Sequence, residues 1–121
     1  MNIVKVVNAR NVLKEFFDDK NISTHLLYLM TKFIAVTETE SEFYMAELRK
    51  IVNKYAKIED GKEEAIIPAE NIEDFNKEVS ELNETPIPDP GIRFNLSEIS
   101  DNLKLSMKQM QHLFDFIDET E

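Results

Sequence analysis

The chain has 121 residues, 24 Asp/Glu against 14 Lys/Arg, a net charge of −10, and neither cysteine nor tryptophan. Lacking cysteine, it has no disulfides, no thiolate chemistry and no cysteine-based zinc site, and its acidity disfavours contact with nucleic-acid phosphates or anionic lipid. An apolar share of 42% with 31% charged residues predicts one globular domain; no apolar run approaches the roughly 20 residues that cross a bilayer, and MNIVKVVNAR lacks the layout of a signal peptide, so a cytosolic protein is expected.

In chain order, Met1–Val7 interleaves β-branched residues (Ile3, Val4, Val6, Val7) and reads as a short strand or extended lead-in. From Asn8, a plausible cap, Val12, Leu13, Phe16 and Phe17 fall at helical spacing, and the Asp/Asn/Ser-rich residues 18–23 form a turn from which Ser23 or Thr24 caps the next element. That element is the longest in the chain. Thr24–Tyr55 runs without proline or glycine, and Leu26, Met30, Phe33, Thr37, Ser41, Tyr44, Leu48, Ile51 and Tyr55 recur at steps of three or four, which predicts one continuous helix. At 1.5 Å per residue it would reach roughly 48 Å, so one end should project or lie along a partner. Its middle, TETESE over 37–42, is expected to be a solvated face with a narrow place where another element crosses closely; a bend or an exposed acidic contact is the alternative.

A charged loop containing Gly61 follows, then a brief strand at 65–68 and an amphipathic helix over 70–84, with Ile72, Phe75, Val79 and Leu82 inward and Glu73, Asp74, Lys77, Glu78 and Glu81 outward. TPIPDPG (85–91) is an extended connection fixed by its prolines. Residues 92–94 read as a strand pairing with 65–68 or with the N-terminus. Asn95 and Glu98 sit at capping-box spacing, and Ser106 with Gln109 forms the clearer box, opening a final helix with Met107, Met110, Leu113, Phe114 and Ile117 on one side, packed back on the long helix. DETE ends the chain as a frayed acidic tail. The predicted fold is mainly α with minor β: a long central helix, two or three shorter helices packed along it, and a minimal β element.

Charge is unevenly placed. Residues 1–55 hold eight Lys/Arg against seven Asp/Glu, whereas 56–121 hold six against seventeen. An acidic half of this kind keeps a protein soluble, and it can also attract a basic protein surface.

No residue set stands out for catalysis, cofactor or metal. His25 and His112 lack companion ligands at coordinating spacing and read as surface or packing residues. Residues 59–64, EDGKEE, lack the framework of a calcium loop, and Gly61 and Gly91 are isolated, so no phosphate-cradling loop exists. Serines sit in no nucleophile motif. A non-catalytic protein without cofactor is therefore expected. Aromatic residues are numerous, and Phe43 and Tyr44, adjacent on a helix about 100° apart, are both buried only if the helix is broadly covered. Core packing is the favoured reading of these rings, and an exposed Phe43 or Phe116, marking a partner or self-association surface, is the alternative.

The order of features resembles a family of small proteins encoded by tailed phages and prophages of Gram-positive bacteria, described only as a domain of unknown function. The likeness runs over nearly the whole chain. Its most specific segment is L-x-L-S-x-x-Q-x-x-x-L-x-x-F-I-x-E, here Leu103, Leu105, Ser106, Gln109, Leu113, Phe116, Ile117 and Glu119. The resemblance implies a phage origin and brings no catalytic residues. Two functions are expected from these observations. The first is a protein-binding virion or assembly component, or a modulator of a host protein, acting in the host cytoplasm or with the virion and capable of homo-oligomerising. The alternative is an acidic inhibitor that imitates nucleic acid in the channel of a host defence nuclease, such as a CRISPR nuclease, using carboxylates of 59–84 and 115–121, with Glu73, Asp74, Glu78 and Glu81 carrying the helix contribution.

Overall fold

A computed structural model describes residues 1–58, 61 and 64–119. The described elements are α1 (Ile3–Lys14), α2 (Thr24–Val36), α3 (Glu38–Tyr55), β1 (Lys57–Ile58), β2 (Ala65–Ile66), α4 (Ile72–Asn83), β3 (Phe94–Asn95), α5 (Leu96–Asn102), α6 (Met107–Leu113) and β4 (Ile117–Asp118), with 3-10 turns at Ala69–Asn71 and Phe114–Phe116. The fold is mainly α with minor β, as the periodicities predict. Residues 59, 60, 62 and 63 of the acidic loop, and 120–121 of the acidic tail, lie outside the described residues.

The predicted N-terminal strand is instead the first turns of α1. Ile3, the pair Val6 and Val7, Arg10 and Leu13 are buried about one helical turn apart, so the β-branched residues form a helical stripe whose burial overrides their strand preference. Only the first two residues are extended: Ile3 N–H donates to the Thr85 carbonyl (2.8 Å), Ile87 N–H donates to the Met1 carbonyl (2.8 Å), and Asn2 bridges Pro86. The proline-rich segment thus straps the start of α1.

The continuous 24–55 helix is also corrected. It breaks at Thr37, whose φ of −104° and ψ of 7° leave the helical region. The cause comes from α1. Arg10, buried to 2%, donates through Nη1 to the Ile34 carbonyl (2.6 Å) and to Thr37 Oγ1 (2.8 Å), and through Nη2 to Glu38 Oε2 (2.8 Å). Thr37 Oγ1 in turn donates to the Phe33 carbonyl (2.6 Å). A side chain inserted among the carbonyls at the end of one helix is an established source of a kink. The close crossing expected near 37–42 is therefore present, made by α1, and the bend accompanies it.

The break separates two cores. The larger gathers Val6, Ala9, Val12 and Leu13 of α1, Leu26, Met30 and Phe33 of α2, and Ile92, Phe94, Ile99, Leu103, Leu113 and Phe116. Phe33 stands at its centre, with ring centroids 5.9 Å from Phe94 and 4.9 Å from Phe116 in an edge-to-face contact. The smaller joins Ile3, Val7, Tyr44 and Leu82, flanked by Leu48, Ile51 and Ile87. Neither part of the 24–55 stretch projects alone: α2 enters the first core and α3 packs on α1 and α4.

Pairing of the strands is local in one case and distant in the other. β1 and β2 form an antiparallel hairpin whose described loop residue Gly61 takes φ +83°, a conformation glycine adopts without a steric penalty. β3 pairs in parallel with β4, Phe94 opposite Ile117, so residues 92–94 bind neither the partner strand nor the terminus expected of them. Both helix-start boxes are occupied as expected at the N-caps: Asn95 accepts from Glu98 N–H, and Ser106 and Gln109 complete a reciprocal box. α6 packs on α1, the segment being tied by Gln109 Nε2 to Glu15 Oε2 (2.6 Å) and by Lys5 to Asp115 (3.3 Å), while Leu113 and Phe116 reach back to α2 in the core around Phe33.

Candidate interaction surface

The apolar stripes of α2 and α3 face inward, which leaves other large side chains of the same helices in solvent. Tyr28 and Val36, eight residues apart and so on one side of α2, are 62% and 48% exposed, and Phe43 on α3 is 48% exposed. Phe43 is thus an exposed aromatic beside the buried Tyr44, so this part of α3 is covered on one side only. Tyr44 fills the smaller core, its hydroxyl donating to Asn83 Oδ1 (2.6 Å), and burial pushes the phenol above its ordinary pKa. Tyr28, Val36 and Met45 were not legible as surface residues individually. Their signal is a phase one: each falls off the stripe that begins at Leu26.

Phe116 is a correction. It is completely buried, against Phe33 and with the Arg93 guanidinium 5.7 Å from its ring centroid. The helix predicted to run through 117 ends at Leu113, and the tighter 3-10 turn over Phe114–Phe116 changes the phase by a few tens of degrees per residue. Phe116 turns inward and Phe114 outward, 63% exposed.

The acidic helix α4 is amphipathic, with Leu82 buried and Phe75 and Val79 half-buried, while Glu73, Asp74 and Glu81 are exposed; Ile72, expected inward, is instead exposed at the first position of the helix. Glu78 differs from them. Its Oε1 accepts from Lys54 Nζ (3.0 Å), and the Tyr55 hydroxyl followed by Lys54 holds its carboxyl below the usual range. The Tyr55 ring meets Phe75 edge-to-face at 6.3 Å. Glu78 therefore belongs to the α3–α4 seam, and Glu73, Asp74 and Glu81 share exposure on α4 without it, with the exposed Lys77 among them.

Other ionised groups serve the fold. Asp89 is held down to about 2 by Arg93 and by the Gly91 N–H, with Oδ2 to Nη2 at 2.6 Å. Arg10 lowers the Glu38 carboxyl. His25 Nδ1 lies 2.8 and 2.9 Å from the two Glu98 oxygens, a partnership 73 positions apart in sequence that no spacing rule reveals. His112 lines a groove between α1 and α6 with Asn8 and Asn11. Among the described residues, no three of His, Asp and Glu are grouped as metal ligands, and no helix is long and apolar enough to cross a membrane. The arrangement offers apolar and aromatic contact on α2–α3 and fixed negative charge on α4.

No protein-family model, no curated protein and no solved structure matches this chain.

Proposed function

We propose that this is a non-catalytic phage protein that works by binding another protein in the host cytoplasm or on the virion, as an assembly component or as a modulator of a host factor. The exposed row of Tyr28, Val36 and Phe43 carries the reading. Aromatic side chains at a surface bring a large apolar contact area at low entropic cost, which is why they concentrate in binding patches. The ion pairs Arg10–Glu38 and Lys54–Glu78 support it further, because each is committed to holding two helices together. Self-association falls within the same reading. The test is affinity capture of the tagged chain from phage-infected cells, comparing the wild type with Phe43→Asp. A partner kept by the wild type at high salt and lost by the variant supports the reading; the same partner on both refutes it.

The acidic-inhibitor alternative is favoured by one observation, the common exposure of Glu73, Asp74 and Glu81 on α4. Carboxylates in a row can stand opposite Arg/Lys that otherwise grip phosphates. Binding of this kind weakens as salt rises and is abolished by reversing these three charges. Glu78 is left out of that variant, since its reversal would also disturb Lys54 and Tyr55.

A further inference from the structure

We infer that α3 carries a second, self-complementary face through which two copies of the chain pair antiparallel. This extends the reading of the chain as an interaction protein by naming a second copy as one partner.

One side of α3 is already taken. Tyr44 bonds to Asn83, Tyr55 meets Phe75, and Lys54 pairs with Glu78, all on α4. Another side is open. Met45, Leu48 and Val52 recur at i, i+3 and i+7 around a shallow apolar hollow of about 240 Å³ that Arg49 also lines. Met45 is 48% exposed, and Leu48 and Val52 are half-buried. With Ser41 these residues follow the 4-3-4 spacing of a coiled-coil seam over two heptads.

Charge decides what covers the seam. Glu42 and Arg49 flank it seven residues apart, hence at the same seam position. Neither has an opposite charge one turn away on its own helix: around Glu42 stand Glu38, Thr39, Met45 and Ala46, and around Arg49 stand Met45, Ala46, Val52 and Asn53. Glu38 is committed to Arg10. In a parallel second copy these two positions would face Thr37 and Tyr44 of the mate, which leaves both charges unpaired. An antiparallel copy sets Glu42 against the other copy's Arg49, twice through the two-fold axis, with Met45 opposite Leu48 and Val52 opposite Ser41. Such reciprocal matching is the mark of an isologous interface. Phe43, two residues before Met45, projects about 160° away round the helix, so the pairing leaves that aromatic free for another protein.

Two heptads bury less than the roughly 1,200 Å² of a stable interface, so the dimer forms and dissociates with concentration. Sedimentation velocity of the full chain from about 1 μM to about 1 mM covers that affinity class. The mass should rise from 14.1 kDa toward twice that value. Glu42→Arg and Arg49→Glu should each weaken association at least about tenfold, one lost and one repulsive pair per side sufficing for that, and the double variant should recover it. Met45→Asp should abolish it while Phe43→Asp leaves it unchanged. Circular dichroism of each variant confirms the fold, these side chains being at the surface. A wild type that stays monomeric throughout overturns the inference, as does a double variant no better than its singles. Either failure leaves capture of another protein through Phe43 standing, and loss of that capture leaves self-association standing.

Discussion

Replacing Arg10 by Met keeps most of the buried side-chain volume and removes the three donors that reach across the break at Thr37. Two of the acceptors, the Ile34 carbonyl at 2.6 Å and Thr37 Oγ1 at 2.8 Å, are at the core side of the junction. Bonds from a charged donor to such groups contribute about 1.5–3 kcal/mol each, so the loss of two costs about 3–6 kcal/mol. Part of this is offset, since Arg10 Nε is buried with no hydrogen-bond partner and removing an unsatisfied donor returns about 1–2 kcal/mol. A net loss of about 3 kcal/mol remains at the middle of these ranges, which urea unfolding followed at 222 nm should register as a midpoint about 1–2 M lower at unchanged slope. Glu38→Gln should lose less than Arg10→Met, because the Glu38 end of the pair is solvated and exposed pairs contribute little. The Thr37 carbon shifts should also move toward helical values in Arg10→Met, as the kink loses its wedge. Stability within about 0.5 kcal/mol of the wild type, the range of neutral surface changes, would refute the claim that Arg10 holds this junction.

Other expectations follow from the same contacts. Phe116→Ala should cost about 3–5 kcal/mol as an emptied core site beside Phe33, whereas Phe43→Ala should stay within about 0.5 kcal/mol; chemical denaturation of the two checks the inward and outward assignments. The Asp89 carboxyl has its pKa lowered from 3.8 to about 2, so its contribution is present above about pH 4 and is lost as pH falls toward 2. Asp89→Asn should accordingly be less stable than the wild type at neutral pH, and the difference should vanish near pH 2; a difference that persists there would point to another cause. Ser106→Ala should cost about 0.5–2 kcal/mol through loss of the N-cap of α6, read as a lowered melting temperature.

What was legible in the sequence was local. The stripes of α2, α3 and α4 and the caps at Ser23, Asn95 and Ser106 depend on residues within a turn or two, and apart from the exposed Ile72 they stand as expected. The kink was legible only as an alternative, because Thr37 keeps the stripe's phase and the agent, Arg10, lies 27 residues earlier. The start of α1 misled for a related reason. Its β-branched run carries strand propensity, yet those residues are buried on one helical side under the 85–87 strap. Phe116 turned on a change of helix type after Leu113, a shift of phase with no strong breaker to announce it. The parallel pairing of 94–95 with 117–118 joins segments whose apolar content fits several partners. On the surface, Phe43 could be anticipated from its neighbour Tyr44, while the diversion of Glu78 to Lys54 and Tyr55 required the α3–α4 packing itself.

Capture at two salt concentrations tests the central proposal most directly. The tagged wild type, Phe43→Asp, and a Glu73/Asp74/Glu81 charge-reversal variant would each be drawn from phage-infected cells and the bound proteins identified by mass spectrometry. Protein binding through the exposed α2–α3 side chains predicts a defined partner that survives high salt, is lost with Phe43→Asp and is retained by the charge-reversal variant. A partner that leaves at high salt, ignores Phe43→Asp and disappears with charge reversal would contradict that reading in favour of the acidic inhibitor.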